Sequence, residues 1–123
     1  MNKFLTSLLF IVLLSFCTTS PELKGFDKQA WLEDTDGCNG DRESIIETII
    51  SQEKTLLGKD QDDIIELLGK PNMHELYRRS QTIFTYSINA TNKCKQFISG
   101  QKQTYLTLRF NALGRVNEII YYK

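Results

Sequence analysis

The run from Leu56 to Pro71, L-L-G-K-D-Q-D-D-I-I-E-L-L-G-K-P, constrains this chain more than any other stretch. It reads as a short helix with both ends written into it. Asp60 is placed to accept hydrogen bonds from free N–H groups of the first turn, and Asp62 and Asp63 put negative charge at the positive end of the helix dipole. Gly69 suits a left-handed stop, and Pro71 forbids continuation. Between these ends Ile64, Ile65, Leu67 and Leu68 form a compact apolar face. A helix this short is unstable alone, so the rest of the chain must supply a surface for that face.

The chain has 123 residues, enough for one globular core and a removable leader. Fifteen basic residues balance fifteen acidic ones, and this neutrality gives no electrostatic footprint for nucleic acid. Residues 1–16 carry one positive charge, Lys3, followed by an apolar run from Phe4 to Phe16. That run is shorter than the roughly 20 residues a spanning helix requires, and it reads as an export signal peptide. It ends L-S-F-C at Cys17, which resembles the lipobox of bacterial lipoproteins, with Phe16 standing where a small residue is usual. Two outcomes follow: lipidation of Cys17, or ordinary signal-peptidase cleavage around Cys17 to Ser20. Residues 17–41 are then the lipid attachment, tether and lead-in arm, and residues 42–123 the folded domain. Cys38 and Cys94 remain beyond the signal, and an even pair in an exported chain is most simply a disulfide; the alternative is two buried free thiols.

The lead-in arm shows no sustained period, and Phe26, Trp31 and Leu32 are its anchoring residues. Trp31, the single tryptophan, reads as packing rather than as a ligand-stacking residue. Asp34 to Asp41, D-T-D-G-C-N-G-D, has the texture of a calcium loop but fails in detail. An EF-hand beginning at Asp34 needs glycine where Asn39 stands and glutamate where Ile45 stands. From Arg42 to Lys54, Ile45, Ile46, Ile49 and Ile50 form one stripe of a first helix capped by Asp41. Beyond Pro71 the period changes to two. Phe84, Tyr86 and Ile88 alternate with Thr85 and Ser87, and Leu106, Leu108 and Phe110 with Tyr105, Thr107 and Arg109. A last strand, Val116 to Tyr122, follows a turn in which Gly114 takes the positive φ that hairpins use, and a less regular strand, Met73 to Tyr77, precedes the others. The expected fold class is therefore α+β, with two N-terminal helices packed on one face of a three- to four-stranded antiparallel β-meander. The polar loop from Asn89 to Lys102 interrupts the meander, and a bridge from Cys94 to Cys38 would fasten it to the start of the first helix.

Leu57-Gly58-Lys59-Asp60, Asp63-Ile64, Leu67-Leu68-Gly69-Lys70-Pro71, the aromatic Phe84-Thr85-Tyr86, Leu106 to Phe110 and Gly114-Arg115-Val116 together carry a resemblance. Over about the last two-thirds of the mature chain the pattern resembles the BamE/SmpA/OmlA family of outer-membrane lipoproteins, and related small domains with a β-lactamase-inhibitor-like fold. The resemblance implies a non-catalytic lipoprotein of the bacterial cell envelope, anchored by an N-terminal lipid on the periplasmic side of the outer membrane. Its members act by protein contacts, notably in the β-barrel assembly machinery. The Cys38 and Cys94 pair and the lysine-bearing loop set this chain apart from the BamE subunit itself. A soluble periplasmic or secreted protein is the alternative localisation.

Few residues offer chemistry. His74 is the single histidine, and no Cys/His cluster has metal spacing, so no metal or other cofactor is expected. Ser51-Gln52-Glu53-Lys54 matches the S-x-x-K of penicillin-binding enzymes but lacks their S-D-N and K-T-G companions. Asp60, Asp62, Asp63 and Glu66 are explained by capping and solvation. With no enzyme indicated, the expected function is a protein-binding module for one or more envelope proteins, in outer-membrane assembly or maintenance. The alternative is an inhibitor of a periplasmic or secreted enzyme. Partner contacts are expected on the helix-free sheet face, at Thr85, Ser87, Tyr105, Thr107, Arg109 and Tyr121.

Overall fold

A computed structural model of the chain describes residues 21–122; the expected signal peptide, residues 1–16, and Cys17 lie outside them. The described residues form an α+β fold of four helices, α1 (Lys28–Glu33), α2 (Asp41–Ile50), α3 (Glu53–Leu56) and α4 (Gln61–Leu68), and four strands, β1 (Met73–Tyr77), β2 (Gln81–Ser87), β3 (Tyr105–Phe110) and β4 (Val116–Tyr121). The strands make one antiparallel sheet in the order β1-β2-β3-β4, a simple meander. No described helix is long and apolar enough to cross a membrane.

The opening run folds as its end signals dictate. Asp60 accepts from the Asp63 N–H at 2.8 Å, and Gly69 closes α4 at φ 77° while its N–H donates to the Ile65 carbonyl. A side chain at Gly69 would also meet Leu32 Cδ2, so two independent constraints select glycine there. Ile64, Leu67 and Leu68 are buried, whereas Ile65 is exposed, because eight residues present only a narrow stripe to the core.

The N-terminal half carries two helices more than expected. Six residues of the lead-in arm form α1, capped by Asp27, whose carboxylate accepts from the Ala30 N–H at 3.1 Å. So short a helix needs tertiary support, and Trp31 provides it: the indole is buried and its Nε1–H donates to the Leu68 carbonyl at 2.9 Å. The helix expected from Arg42 to Lys54 stops at Ile50. Ser51 and Gln52 turn their side chains back to the Thr48 carbonyl, and Gln52 also exchanges two 2.8 Å hydrogen bonds with the Lys24 backbone. The chain restarts as α3. Asp41 is the first helical residue rather than the cap, since Gly40 occupies that position in the left-handed region. Asp34 supplies the missing acceptor from outside the helix, taking the Arg42 and Asn39 N–H groups at 3.0 and 2.8 Å.

One core cluster joins Trp31, Ile46, Ile49, Leu56, Ile64, Leu67 and Leu68 to Phe84, Tyr86, Ile88, Leu106, Leu108, Phe110 and Val116. The inward residues expected in the middle strands are each buried; burial alternates along β3, whereas in β2 Thr85 and Ser87 are buried as well. Cys38 and Cys94 form a disulfide with Cα atoms 5.3 Å apart. It fastens the loop after β2 to the segment before α2, assisted by the Thr91 N–H on the Asp36 carbonyl at 3.2 Å and by Gln96 Nε2 on the Cys38 carbonyl.

Candidate functional site

The sheet face turned away from the core cluster is the surface on which the sequence concentrates partner-binding candidates. Strand register sets its layout. One row across the sheet is Met73, Thr85, Thr107 and Ile120; the next is Glu75, Ile83, Arg109 and Glu118. Ser87 and Tyr105 are opposite each other at one end of these rows, and Tyr77 and Gln81 at the other.

Arg109 is the centre of the second row. Its guanidinium pairs with the Glu118 carboxylate at 3.2 Å and lies 5.7 Å from the centroid of the Tyr77 ring. Both contacts hold a half-buried arginine in one orientation, with an aromatic ring on one side and a carboxylate on the other. Beside it Tyr105, Thr107, Ile120 and Tyr122, with Lys102 and Gln103, line a hollow of about 230 Å³. Tyr105, Thr107 and Ile120 are half-buried and Tyr122 is exposed, so the hollow has two tyrosines and an isoleucine in walls open to solvent.

Of the six expected contact residues, two are on the expected face but buried and one is on the opposite face. Thr85 and Ser87 are on this face but buried, with 7% and 5% of their surface accessible. They belong to β2, which has a strand on each side, and Ser87 is tied down further: its N–H donates to Asn72 Oδ1 at 2.8 Å and its carbonyl accepts from Arg42. Tyr121 is on the opposite face. A β-bulge explains this, because Arg109 pairs with Glu118 while Phe110 pairs with Val116, leaving Asn117 unmatched. One extra residue reverses the alternation beyond it, so Ile119 and Tyr121 turn toward the core cluster and Glu118 and Ile120 turn away. Tyr105, Thr107 and Arg109 keep their expected places. Met73, Tyr77, Ile83, Ile120 and Tyr122 are the residues the sequence reading missed; period-two spacing was a usable signal for the first three.

The strongly perturbed ionisable groups lie in the core rather than on this face. Arg42 is 1% exposed, and its guanidinium stacks 4.5 Å from the centroid of the Trp31 ring. Nε donates to the Trp31 carbonyl at 3.0 Å, and one terminal nitrogen donates to the Thr35 carbonyl, Asn72 Oδ1 and the Ser87 carbonyl, each at 3.1 Å. Burial lowers its pKa, opposed by the nearby Asp34 carboxylate. Burial likewise raises the pKa of Tyr86, whose hydroxyl donates to the Gly69 carbonyl at 2.9 Å. Arg42 therefore joins the arm, α2, the segment before β1 and the end of β2 at one point. His74 is exposed on β1, edge-on to Phe84 with ring centroids 4.8 Å apart. Among the described residues no three metal-ligating side chains come together. No family model matches the chain, and no curated protein or solved structure matches it.

Proposed function

We propose that this chain is a non-catalytic, lipid-anchored protein of the bacterial cell envelope that works as a protein-binding module through the sheet face around Arg109. The observation that carries this reading is the makeup of that face. Tyr77, Ile83 and Ile120 neighbour an arginine already held by a ring and a carboxylate, and Tyr105 and Tyr122 line the hollow further along the same face. Aromatic and arginine side chains are the usual energetic centres of protein interfaces, and a preset arginine loses little freedom on binding. In this reading the helices lie together on the other side of the meander. Their buried apolar side chains share one cluster with sheet residues of a single face, which supports it.

Further support comes from the N-terminal sequence and the cysteine pair. The signal-like residues 1–16 and the disulfide suit an oxidising compartment outside the cytoplasm. The lipobox-like L-S-F-C supports anchoring through Cys17, and the resemblance to BamE/SmpA/OmlA lipoproteins favours the outer membrane and a partner in its assembly or maintenance.

The test uses the exported full-length chain. In-cell crosslinking from Thr107 is expected to trap an envelope protein. Arg109→Ala combined with Tyr105→Ala is expected to weaken capture by at least about thirtyfold if these are interface centres. Capture unchanged by the double variant would overturn the reading, and capture of a soluble hydrolase would replace it with the inhibitor alternative. Cys17→Ala is expected to move the protein from the membrane to the soluble fraction; unchanged fractionation would exclude the anchor.

A further inference from the structure

We infer that β1 (Met73–Tyr77) is an open docking edge that takes an extended segment of a partner protein as a fifth strand, with a basic residue of that segment opposite Glu75 and apolar residues on either side. This rests on the reading of the chain as a binding module and names the chemistry of what it binds.

The sheet has two edges, and they are treated differently. At the β4 edge the ladder begins covered: the Val116 N–H donates to the Lys59 carbonyl at 2.9 Å and the Gly58 N–H to the Val116 carbonyl at 2.8 Å. The bulge at Asn117 then breaks the regular spacing. Cover and bulges are how folded proteins protect an edge from strand addition. β1 has neither. Its five residues pair in unbroken register with β2, and among the described residues no backbone hydrogen bond beyond that ladder reaches them. Alternate N–H and C=O groups of β1 therefore face outward in the spacing an added strand needs.

The side chains specify what kind of strand. All five residues are exposed, including Met73 at 44%, Leu76 at 82% and Tyr77 at 52%. No lysine or proline interrupts them, although these are the residues that commonly guard an edge. On the face shared with Arg109, Met73 and Tyr77 flank Glu75, which makes no ion pair among the described residues. A cation opposite Glu75 between apolar neighbours would complement this row, and an apolar residue on the other face would cover Leu76. A second copy of this chain fits poorly. The only antiparallel self-pairing that engages all five residues sets Met73 against Tyr77, His74 against Leu76, and Glu75 against Glu75, and directly opposed like charges destabilise a strand pair.

The test titrates the purified, disulfide-intact chain with two short Val/Thr-alternating peptides, one with a central Lys and one with a central Glu, following backbone amide NMR shifts. The central-Lys peptide is expected to shift β1 amides while leaving β4 amides in place. Glu75→Lys is expected to weaken that peptide about fivefold and to strengthen the central-Glu peptide by a similar factor, a reversal that damage to the fold would not produce. Binding of neither peptide, shifts confined to residues around Thr107 and Ile120, or concentration-dependent shifts of β1 without peptide would each overturn the inference. Because Thr107 crosslinking in cells does not depend on β1, loss of this inference leaves the result for the wider face standing.

Discussion

Single residues show how this small core tolerates polar groups. Arg42 is charged and buried, yet its donors meet three backbone carbonyls and an amide oxygen, and its flat face lies on Trp31. Removing it strands those acceptors away from water, so Arg42→Ala is expected to cost about 3 kcal/mol in urea unfolding. Arg42→Lys should recover little of this, because an ammonium cannot reproduce the planar fork. Tyr86 gives a pH signature. Its folded pKa is raised above the unfolded value of about 10, so the unfolded chain releases the phenolic proton first. The contribution is fully present below about pH 10 and is lost as pH climbs from there toward the folded pKa, at about 1.4 kcal/mol per pH unit. Tyr86→Phe is expected to flatten that alkaline decline in pH-dependent unfolding while costing about 1 kcal/mol at neutral pH through the lost bond to Gly69.

Whole elements divide into those whose ends are set by their own residues and those whose place is set by distant contacts. α4 belongs to the first kind: Asp60→Ala removes its side-chain cap and is expected to lower stability by about 1 kcal/mol, measurable by thermal unfolding. The loop after β2 belongs to the second. Its attachment runs through Cys38 and Cys94, separated by 56 residues, and closing a loop of that length constrains the unfolded chain by about 4 kcal/mol. Reduction is expected to remove a stabilisation of that order and to speed amide hydrogen exchange in residues 89–104 before the strands are affected. At Gly37, next to the bridge, a Cβ would overlap the carbonyl of Asn89, so the disulfide segment packs directly on the backbone leaving β2.

At the scale of the molecule, core and candidate surface are separable, because Tyr86, with the Arg42 guanidinium against its ring, belongs to the core face of the sheet and Arg109 to the other. The Arg109→Ala and Tyr105→Ala pair should therefore shift the melting temperature only slightly while weakening partner capture by at least about thirtyfold; a large drop in melting temperature would show that the face is structural. The sequence determined what depends on neighbours along the chain. Asp60 and Gly69 bound α4, and alternation places Phe84, Tyr86, Leu106, Leu108 and Phe110 inward. Its reading of Tyr105, Thr107 and Arg109 as one outward set also holds. Tertiary structure alone decided what depends on partners far away. α1 exists because Trp31 reaches Leu68, and α2 ends where Gln52 grips the arm. Thr85 and Ser87 are buried because strands flank them, and Tyr121 turns inward because one unmatched residue in β4 reverses a period of two. Local pattern fixes which way a side chain points relative to its neighbours, whereas burial, bulges and caps borrowed across the fold are set by atoms that sequence spacing does not bring together.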